Sequence, residues 1–427
     1  MATDHVLDLL AARGFVSETT DEAALRELLA TPTTFYVGFD PTAASLHIGH
    51  LMGMMAMAWM QRAGHRALAI AGGGTGRIGD PSFRDEEREL LDDDQIARNL
   101  DGIRRQLSRV LDLDDPGRGA LLDNYDWLGR FGYVEFLRDV GKHFSVNQMV
   151  APDSVKRRLT EREKGISYTE FSSALLQAYD FAHLQAAEGC MLQAGGSDQW
   201  GNIVAGIDLT RRMHGAQVHG LVWPLVERSD GRKFSKSTGR AVWLDAAMTS
   251  PYAFYQWFLN VPDADAPGFL RWFTFLPLEE IAELEAELAG DPAARAAQRA
   301  LAAEITRIVH GDQGLAEALA ATEVLFGRER FTGLDDRTLA DAFESAPSAD
   351  LPRGDLESGI GILALMTAVG ASKSNGEARR LVDQGGVYLN NERIEDSSRV
   401  VGSGDLAGTS TLVIRVGKKR YFLARFD

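Results

Sequence analysis

Short apolar runs recur through the first half of the chain and are separated by longer amphipathic segments, which is the pattern of strands followed by helices. Strands are predicted at Phe35–Val37, His65–Ala71 and Cys190–Ala194. The second run is too short for a helix of its own and apolar enough for a strand buried on both faces. The pattern therefore predicts a doubly wound parallel sheet, an α/β fold whose strand ends hold the ligand.

Helical spacing of apolar residues fills the intervals between these runs. Side chains that can accept a hydrogen bond from the first turn mark two of the helix starts. The predicted helices are residues 4–30 with a break near 14–20, a helix opening at Leu46 behind a Ser45 cap, residues 170–187, and about Gln199 to Met213 behind a Ser197 or Asp198 cap.

Changes in composition divide the remainder of the chain. Alanine- and leucine-rich helical spacing fills 250–326, and Pro, Ser, Asp and Gly near 344–356 are typical of a linker. The predicted organisation is a parallel-sheet domain with an aromatic insertion at 1–223, a polar loop region at 224–249, a helical bundle at 250–326, a linker at 327–356, and a small α+β domain at 357–427.

Charge and cysteine content narrow the class of protein. The net charge of −16 argues against a chain covered with nucleic acid, yet the tail from Ile360 to Asp427 has ten Lys and Arg against seven Asp and Glu, which suggests a local polyanionic partner or a solvated basic face. Cys190 stands alone, so no intramolecular disulfide or multi-cysteine metal site is expected, and a reducing cytoplasm is the simplest location. The sequence offers no signal peptide or membrane span.

Two glycine- and histidine-containing turns follow predicted strands. His47 and His50 share one face of a first helical turn, where their N–H groups could reach phosphate, although ordinary surface or capping histidines have the same spacing. Gly74, Gly76 and Gly79 form G-x-G-x-x-G, but Asp80 and Pro81 follow at once, which argues against a dinucleotide-binding helix. The glycines instead favour a close turn beside a ligand, with Asp80 free to meet an amino group.

Further polar residues fall at spacings that point to a site. Ser173, Gln177 and Asp180 lie on one face of the 170–187 helix, and aligned polar groups on an apolar helix need partners. Arg84 with Arg88, and Lys233 with Lys236, are cation pairs that taken alone are equally consistent with solvated surfaces.

Several of these segments together resemble one family. PTAASLHIGH resembles the HIGH motif of class I aminoacyl-tRNA synthetases, and KFSKS at 233–237 is similar to their second motif, usually KMSKS. With YVGFD, GGGTGRIGDPSFRDEER, LLQAYDF, GGSDQWGNI and an S4-like tail in the same order, the chain resembles bacterial tyrosyl-tRNA synthetases over nearly its whole length. The resemblance implies a Rossmann-like catalytic domain, a helical anticodon-binding domain and an S4-like RNA-binding domain.

The resemblance also implies an activity and its participants. Such an enzyme activates L-tyrosine with Mg²⁺-ATP to tyrosyl adenylate and pyrophosphate, then transfers tyrosyl to the 3′ end of tRNA(Tyr), with no structural metal. It works in the cytoplasm as a homodimer, here expected through the aromatic insertion. The implied catalytic residues are His47, His50, Lys233, Lys236, Arg84 and Arg88.

Binding residues follow from the same motifs, and all roles here are expectations. For tyrosine they are Tyr36 and Asp180 at the phenol, Asp80, Ser173 and Gln177 at the amine, and Gln199 at the carboxyl group. For ATP they are Gly38, Asp40, Thr42, His47, His50, Asp198 at the ribose, and Lys236. For tRNA they are Lys373, Arg379, Arg380, Lys418, Lys419 and Arg420.

One position departs from the family pattern. Ser173 stands where the family usually has a tyrosine that contacts the substrate amine, so either water fills the gap or the accepted amino acid differs. A specialised paralogue acting on a tyrosine analogue, a tryptophanyl-type enzyme, and an RNA-binding protein that kept the fold are the alternatives. Tyr36 with Asp180 disfavours tryptophan, because an indole has no hydroxyl to pair with both.

Overall fold

A computed structural model describes residues 5–78, 92–150, 167–229, 234, 236–237, 240–326, 330–417 and 420–427. The chain forms two compact units. The first comprises Met1–Leu244 with Val261–Leu301, and the second Asp245–Asn260 with Ala302–Asp427. The segment 250–326, predicted as one helical domain, therefore contributes to both units.

The helices confirm the predicted alternation. In chain order they are α1 Val6–Ala12, α2 Glu22–Leu28, α3 Leu51–Arg62, α4 Gly73–Gly76, α5 Asp93–Leu107, α6 Tyr125–Leu128, α7 Tyr133–Asp139, α8 Val146–Met149, α9 Tyr168–Glu188, α10 Trp200–His214, α11 Pro251–Leu259, α12 Ala266–Phe273, α13 Leu278–Gly290, α14 Ala296–Phe326, α15 Asp336–Ala342, α16 Arg353–Ser358, α17 Ile362–Ala368 and α18 Asn375–Asp383. Short 3₁₀ turns are Ile48–His50, Gly141–His143, Ser197–Gln199, Pro292–Ala294 and Ser403–Asp405. Gly311 interrupts α14 with φ 77°.

The strands fall in the two units as follows. Those of the first unit are β1 Glu18–Thr19, β2 Thr34–Phe39, β3 Arg66–Ala71, β4 Gly119–Asp123, β5 Cys190–Gly196, β6 His219–Trp223, β7 Lys236–Ser237 and β8 Arg240–Ala241. Those of the second unit are β9 Ser348–Leu351, β10 Ile360–Gly361, β11 Val387–Leu389, β12 Glu392–Arg393, β13 Val400–Val401, β14 Thr411–Val416 and β15 Arg420–Phe426.

The first unit is built on a six-stranded sheet in the order β1-β6-β5-β2-β3-β4. All neighbouring pairs from β6 to β4 are parallel, and β1 adds an antiparallel edge. Strand β3 is buried along almost its whole length, as the apolar run at 65–71 predicts. The chain reverses its direction of winding between β2 and β5, so the carboxyl ends of these central strands border a crevice. The predicted doubly wound sheet is confirmed.

The predicted break near 14–20 is confirmed between α1 and α2, and Glu18–Thr19 within it forms an edge strand against β6. Two predicted helix caps are wrong. Ser45 does not cap a helix at Leu46, because its hydroxyl donates to the Leu46 carbonyl while His47 takes the cap position. A 3₁₀ turn also precedes α10, so neither Ser197 nor Asp198 is its cap.

The second unit carries a five-stranded sheet in the order β12-β11-β14-β15-β9. β9 pairs with β15 in parallel and contains Ser348–Leu351, which lie inside the predicted linker. The linker prediction is therefore wrong for these residues: their alternating exposure supports an edge strand, a pattern that the Pro and Ser around it concealed. The last two strands, β14 and β15, pair as an antiparallel hairpin.

Among the described residues, the structure has no helix long and apolar enough to cross a membrane.

Candidate active site

A cavity of about 320 Å³ lies in the first unit at the carboxyl ends of β2 and β5. Tyr36 and Gly38 come from β2, whereas Gln177 and Asp180 come from α9, which packs beside it. The position agrees with the rule that ligands bind where the strand order of a parallel sheet reverses.

The structure brings together most of the predicted site residues that it describes. Those that line the cavity are Tyr36, Gly38, Asp40, His50, Gln177, Asp180, Asp198 and Gln199. Thr42 is exposed and Ser173 is buried, and neither lines the cavity. Asp80, Arg84, Arg88 and Lys233 lie outside the described residues, as does the side chain of Lys236, whose backbone belongs to β7.

The Asp180 carboxylate is fixed at the closed end of the cavity by two side chains. Asn124 donates from Nδ2 to one carboxylate oxygen at 3.0 Å, and Trp127 donates from Nε1 to the other at 2.7 Å. Burial raises the pKa of the Asp180 carboxyl to about 7, against the opposing effect of these two hydrogen bonds. We call these three residues with Tyr36 the Asp180 end of the cavity.

Tyr36 contributes a hydroxyl that the described residues leave without a hydrogen-bond partner. The side chain is 3 % exposed, and its ring packs edge-on against Phe181 with centroids 5.3 Å apart. Burial and the neighbouring Asp180 raise the pKa of the Tyr36 phenol, so it stays protonated and is a donor. A buried hydroxyl without a hydrogen-bond partner lowers the stability of the fold, which indicates that a polar group of a bound ligand supplies the missing hydrogen bond.

An amide network forms the open side of the cavity. Asn202 donates from Nδ2 to the Oε1 atoms of Gln177 at 2.8 Å and Gln199 at 3.0 Å. Gln199 in turn donates from Nε2 to Asp198 at 3.1 Å. Asn202, which sequence reasoning did not single out, thus joins Gln177 to Gln199, and Gln199 extends the network to Asp198.

The histidine turn, residues 47–50, is held by its own backbone. The Gly49 N–H donates to His47 Nδ1 and the His47 N–H donates to His50 Nδ1, both at 3.1 Å. Because His47 Nδ1 accepts from Gly49, the neutral His47 ring carries its proton on Nε2. His50 Nδ1 lies within hydrogen-bond distance of both the N–H and, at 3.2 Å, the carbonyl of His47. The centroids of the two rings lie 4.1 Å apart.

His50 is a neutral donor at physiological pH. Burial, with the adjacent His47 second, lowers the pKa of the His50 imidazole to about 3. A neutral N–H can bind a phosphate oxygen without changing its protonation between pH 5 and 9.

The chain that follows the second cationic motif returns to the histidine turn. The Ile48 N–H donates to the Val242 carbonyl, and the Leu244 N–H donates to the Leu46 carbonyl, both at 2.9 Å. The His47 ring lies 5.9 Å from the Trp243 ring. Residues 242–244, a few positions beyond that motif, therefore lie beside the histidine turn in the first unit.

Asn124 and Trp127 are site residues that sequence reasoning missed. Besides holding Asp180, Asn124 accepts from the Gly74 N–H at 2.7 Å, which ties the glycine-rich turn to the cavity. The turn is close: a Cβ on Gly73 would lie 2.2 Å from Asp123 Oδ1. Asn124 and Trp127 follow the carboxyl end of β4, which pairs with the strand before the glycine-rich turn. This position is the sequence signal that could have identified them.

The predicted RNA-binding residues lie in the second unit. The side chains of Lys373, Arg379 and Arg380 are exposed, and the last two lie on α18. The Ser374 hydroxyl caps this helix by accepting a hydrogen bond from the Glu377 N–H. Arg420 is exposed at the start of β15. Lys418 and Lys419 lie outside the described residues. No group of His, Cys, Asp or Glu in the described part of the chain is arranged to hold a metal ion.

Comparison with known proteins matches both units. Residues 29–327 match the family described as class I tRNA synthetases (W and Y), and residues 338–424 match the SYY-like C-terminal domain of tyrosine–tRNA ligases. The chain is 47 % identical to a tyrosine–tRNA ligase of Rhodopirellula baltica, covering all of this chain and 97 % of that protein. It is 50 % identical to the corresponding ligase of Nocardia farcinica, covering 97 % of each.

Solved structures agree with the fold. A C-terminally truncated mitochondrial tyrosyl-tRNA synthetase from Aspergillus nidulans superposes with a TM-score of 0.68 at 30 % identity, covering 76 % of this chain and 95 % of that one. A tryptophanyl-tRNA synthetase from Encephalitozoon cuniculi superposes with a TM-score of 0.55 at 15 % identity, covering 73 % of this chain and 87 % of that one, a likeness of fold alone.

Proposed function

The chain belongs to the tyrosine–tRNA ligase family of class I tRNA synthetases, and we propose that the cavity at the strand ends is where it makes tyrosyl adenylate. The enzyme activates L-tyrosine with ATP, releases pyrophosphate, and transfers tyrosyl to the 3′ end of tRNA(Tyr). The relatives that match this chain over nearly its full length are tyrosine–tRNA ligases, and this similarity supports neither an altered substrate nor a pure RNA-binding role.

The observation that carries the assignment is the orphan Tyr36 hydroxyl beside the buried Asp180 carboxylate. Tyr36 donates a hydrogen bond to the substrate phenol oxygen, and Asp180 accepts a hydrogen bond from the phenol O–H. Tyrosyl-tRNA synthetases are the established example of a hydroxyl-binding site that rejects phenylalanine, by about 10⁵-fold. The reason is that phenylalanine would leave both buried groups unpaired.

The open side of the cavity holds the rest of the amino acid and the nucleotide. Gln177 binds the amino group together with Asp80, Gln199 orients the carboxylate, and Asp198 binds the ribose. Gly38 leaves room for the adenylate, since a Cβ there would meet no atom within 4 Å. Asp40 and Thr42 border the path of the phosphates.

The histidine turn and the cations bind the triphosphate, which enters as its Mg²⁺ complex. His47 donates from Nε2 and His50 from its ring N–H, and the pairing of Val242 and Leu244 with the histidine segment supports delivery of Lys233 and Lys236 to the same phosphates. Arg84 and Arg88 join them on the departing pyrophosphate.

Catalysis in this proposal requires no general base. The tyrosine carboxylate attacks the α-phosphate in line, forming the acyl–phosphate bond as the bond to pyrophosphate breaks. The side chains act by orientation and by stabilising the charge that develops on the phosphate oxygens.

Ser173 leaves the amine with one partner fewer than the family pattern provides. We expect tyrosine to remain the substrate with a weaker affinity. Ser173→Tyr should lower the KM for tyrosine in pyrophosphate exchange; an unchanged or higher KM would remove the basis for the weaker binding.

Homodimer formation is part of the proposal, through the aromatic insertion. α7 has no buried residue, and Tyr133, Val134, Val146 and Tyr168 are each more than 60 % exposed. Such a patch of large apolar side chains is typical of a surface covered by a partner. Sedimentation should show a dimer that Val134→Asp converts to monomer.

The second unit completes the proposed binding of tRNA. The proposed domain roles are catalytic for 1–223, triphosphate binding by the KFSKS region for 224–249, anticodon-binding for 250–326 and S4-like RNA-binding for 357–427. Lys373, Arg379, Arg380, Lys418, Lys419 and Arg420 neutralise RNA phosphates. The enzyme works in the cytoplasm, where its tRNA is found.

The test is amino-acid-dependent ATP–pyrophosphate exchange with tyrosine, phenylalanine and tryptophan. Exchange with tyrosine alone is expected. Exchange with tryptophan would support the tryptophanyl alternative, and exchange with neither amino acid, in an intact protein that binds tRNA, would support the RNA-binding one.

A further inference from the structure

The segment 41–46 connects the end of β2 to the histidine turn and forms neither helix nor strand. Residues that line the proposed active-site cavity stand on either side of it: Asp40 before the segment, and Gly49 and His50 after it. The hydrogen bonds inside the histidine turn determine the shape of the turn. The path of the 41–46 segment determines where the turn lies relative to the cavity.

Helix α5 holds both ends of this segment with buried polar side chains. Asn99 donates from Nδ2 to the Pro41 carbonyl at 2.7 Å. Gln106 accepts from the Leu46 N–H at 2.7 Å and donates from Nε2 to Ser45 Oγ at 3.0 Å. Both side chains are 7 % exposed, so water does not compete for these hydrogen bonds. Because hydrogen bonds are directional, they fix the path of the segment more closely than apolar packing would.

Between these two side chains, α5 approaches the segment at Gly102. Asn99, Gly102 and Gln106 are three and four residues apart, so they lie on one face of the helix. A Cβ at Gly102 would overlap the Ala44 carbonyl oxygen. The face of α5 that contacts the segment therefore fits its backbone rather than apolar side chains.

Leu46, the residue before His47, is held from two sides. Its N–H donates to Gln106 on α5, and its carbonyl accepts from the Leu244 N–H at 2.9 Å. Gln106 and Asn99 do not themselves line the cavity. Side chains that touch no ligand but fix the residue next to a phosphate-binding group influence the reaction through the position of that group.

From these contacts we infer that Gln106 and Asn99 are positioning residues for formation of the adenylate, and that they act through the histidine turn. They hold the 41–46 segment so that the Nε2–H of His47 faces the phosphates as charge develops. The inference rests on the proposed ligase function and extends it by a polar helix face outside the cavity. A displacement of about 1 Å can lower the rate of an enzyme about 10²-fold, so a loosened segment should slow the reaction.

Gln106→Met removes both hydrogen bonds with little change in side-chain volume. It leaves the buried Leu46 N–H without its partner, so the histidine turn should move from its productive position. The kcat for tyrosine-dependent pyrophosphate exchange should fall about 10- to 100-fold. The KM for tyrosine should not change, because Asn124 and Trp127, not α5, hold the Asp180 end of the cavity.

Gln61→Met is the matched control, since it makes the same chemical change at another buried glutamine of the first unit. Gln61 is 5 % exposed in the last turn of α3 and does not line the cavity. It donates to the Asp112 and Arg118 carbonyls at 2.9 and 3.0 Å and accepts from the Asp112 N–H at 2.8 Å. Gln61→Met should lower the Tm as Gln106→Met does but keep a wild-type kcat. An equal fall of kcat in the two variants would overturn the inference.

A double-mutant cycle with His47→Asn tests whether Gln106 acts through the histidine turn. Once His47 has lost its donor, misplacing the turn removes less. The combined fall in kcat should therefore be at least about fivefold smaller than the product of the two single falls. A merely structural role of Gln106 would give a combined fall equal to that product, and this result would contradict the inference. A rise confined to the KM for tyrosine would also contradict it.

Asn99→Leu provides a milder variant that tests the same helix face if Gln106→Met does not fold. It removes only the hydrogen bond to Pro41, so kcat should fall about three- to tenfold, again less than multiplicatively with His47→Asn. A wild-type kcat in folded Asn99→Leu and Gln106→Met would contradict only the positioning role. Absence of tyrosine-dependent exchange in the wild type would contradict the proposed function instead.

Discussion

At the Asp180 end of the proposed active-site cavity, the buried carboxylate is held by side chains 56 and 53 residues earlier in the chain. In the histidine turn, by contrast, each ring is held by a backbone N–H within three residues. The first arrangement is buried and preorganised by tertiary packing, and the second forms locally. We expect the Asp180 end to determine which amino acid is accepted and the histidine turn to determine how fast the phosphate reacts.

The largest effect should come from Asp180→Asn. The variant loses one of the two acceptor oxygens that Asn124 and Trp127 bind and weakens the proposed contact with the substrate phenol, and each hydrogen bond to a charged group contributes about 1.5–3 kcal/mol. The kcat/KM for tyrosine in pyrophosphate exchange should fall by roughly 10³-fold. Asp123→Asn is the control, because Asp123 lies at the same sheet edge but does not line the cavity. Equal losses in the two variants would contradict a specific role for Asp180.

His47→Asn tests the other region with its local fold preserved. Asparagine is a good helix cap, so the turn should form, but the Nε2–H donor is absent. The kcat for exchange should fall about 10²-fold, the usual cost of one transition-state donor, while the KM for tyrosine should change little. His214→Asn, at the exposed end of α10, is the control. If only the KM for tyrosine rose, the histidine turn would contribute to tyrosine binding rather than to the rate of reaction at the phosphate, and the proposed division of roles would be wrong.

Trp127→Phe weakens the Asp180 end by a single hydrogen bond. The phenylalanine ring can retain the stacking on His183, where the rings lie 4.6 Å apart at 18°. A hydrogen bond to a charged group contributes about 1.5–3 kcal/mol, so a KM for tyrosine about tenfold higher is expected, with the KM for ATP unchanged. Trp59→Phe makes the same chemical change at a partly buried tryptophan of the first unit, whose Nε1 has no hydrogen-bond partner among the described residues and which does not line the cavity. Matching KM values in the two variants would argue against the hydrogen bond to Asp180.

The smallest effect is a pair of opposing pH dependences of stability. The pKa of Asp180 rises from 3.8 to about 7 on folding, so its protonated form stabilises the fold below 3.8, and that stability is lost as pH rises toward 7. The pKa of His50 falls from 6.5 to about 3, so its contribution is present above 6.5 and lost as pH falls toward 3. Each slope is at most about 1.4 kcal/mol per pH unit.

Denaturant titrations between pH 4 and 6.5 separate the two contributions. Stability should rise more steeply with pH in Asp180→Asn than in the wild type, because the His50 contribution then acts without opposition. It should rise less steeply, or fall, in His50→Asn. Identical slopes in all three proteins would contradict both pKa shifts.

Local chemistry explains which parts of the site were predictable. The polar spacing of Gln177 and Asp180 on one helix face, and the turn after the first strand, are properties of short segments, and the structure places these residues at one cavity. Neither polar spacing on one helix face nor turn chemistry identifies Asn124, Trp127 and Asn202. Their role depends on which strand and helix lie next to α9 and β5. The cap assigned to Ser45 failed for the opposite reason: Gln106, sixty-one residues away, donates to its hydroxyl at 3.0 Å.

The sequence by itself determined the alternation of strands and helices, the direction of the sheet, and the motifs that identify the family, since periodicity and turn chemistry act over a few residues. Only the tertiary structure decided that Ser348–Leu351 is a strand, that Asp180 is clamped from two sides, and that α5 holds the segment before the histidine turn. These features arise from contacts between distant segments. Their free energy comes from burial and pairing that no single stretch of the chain contains.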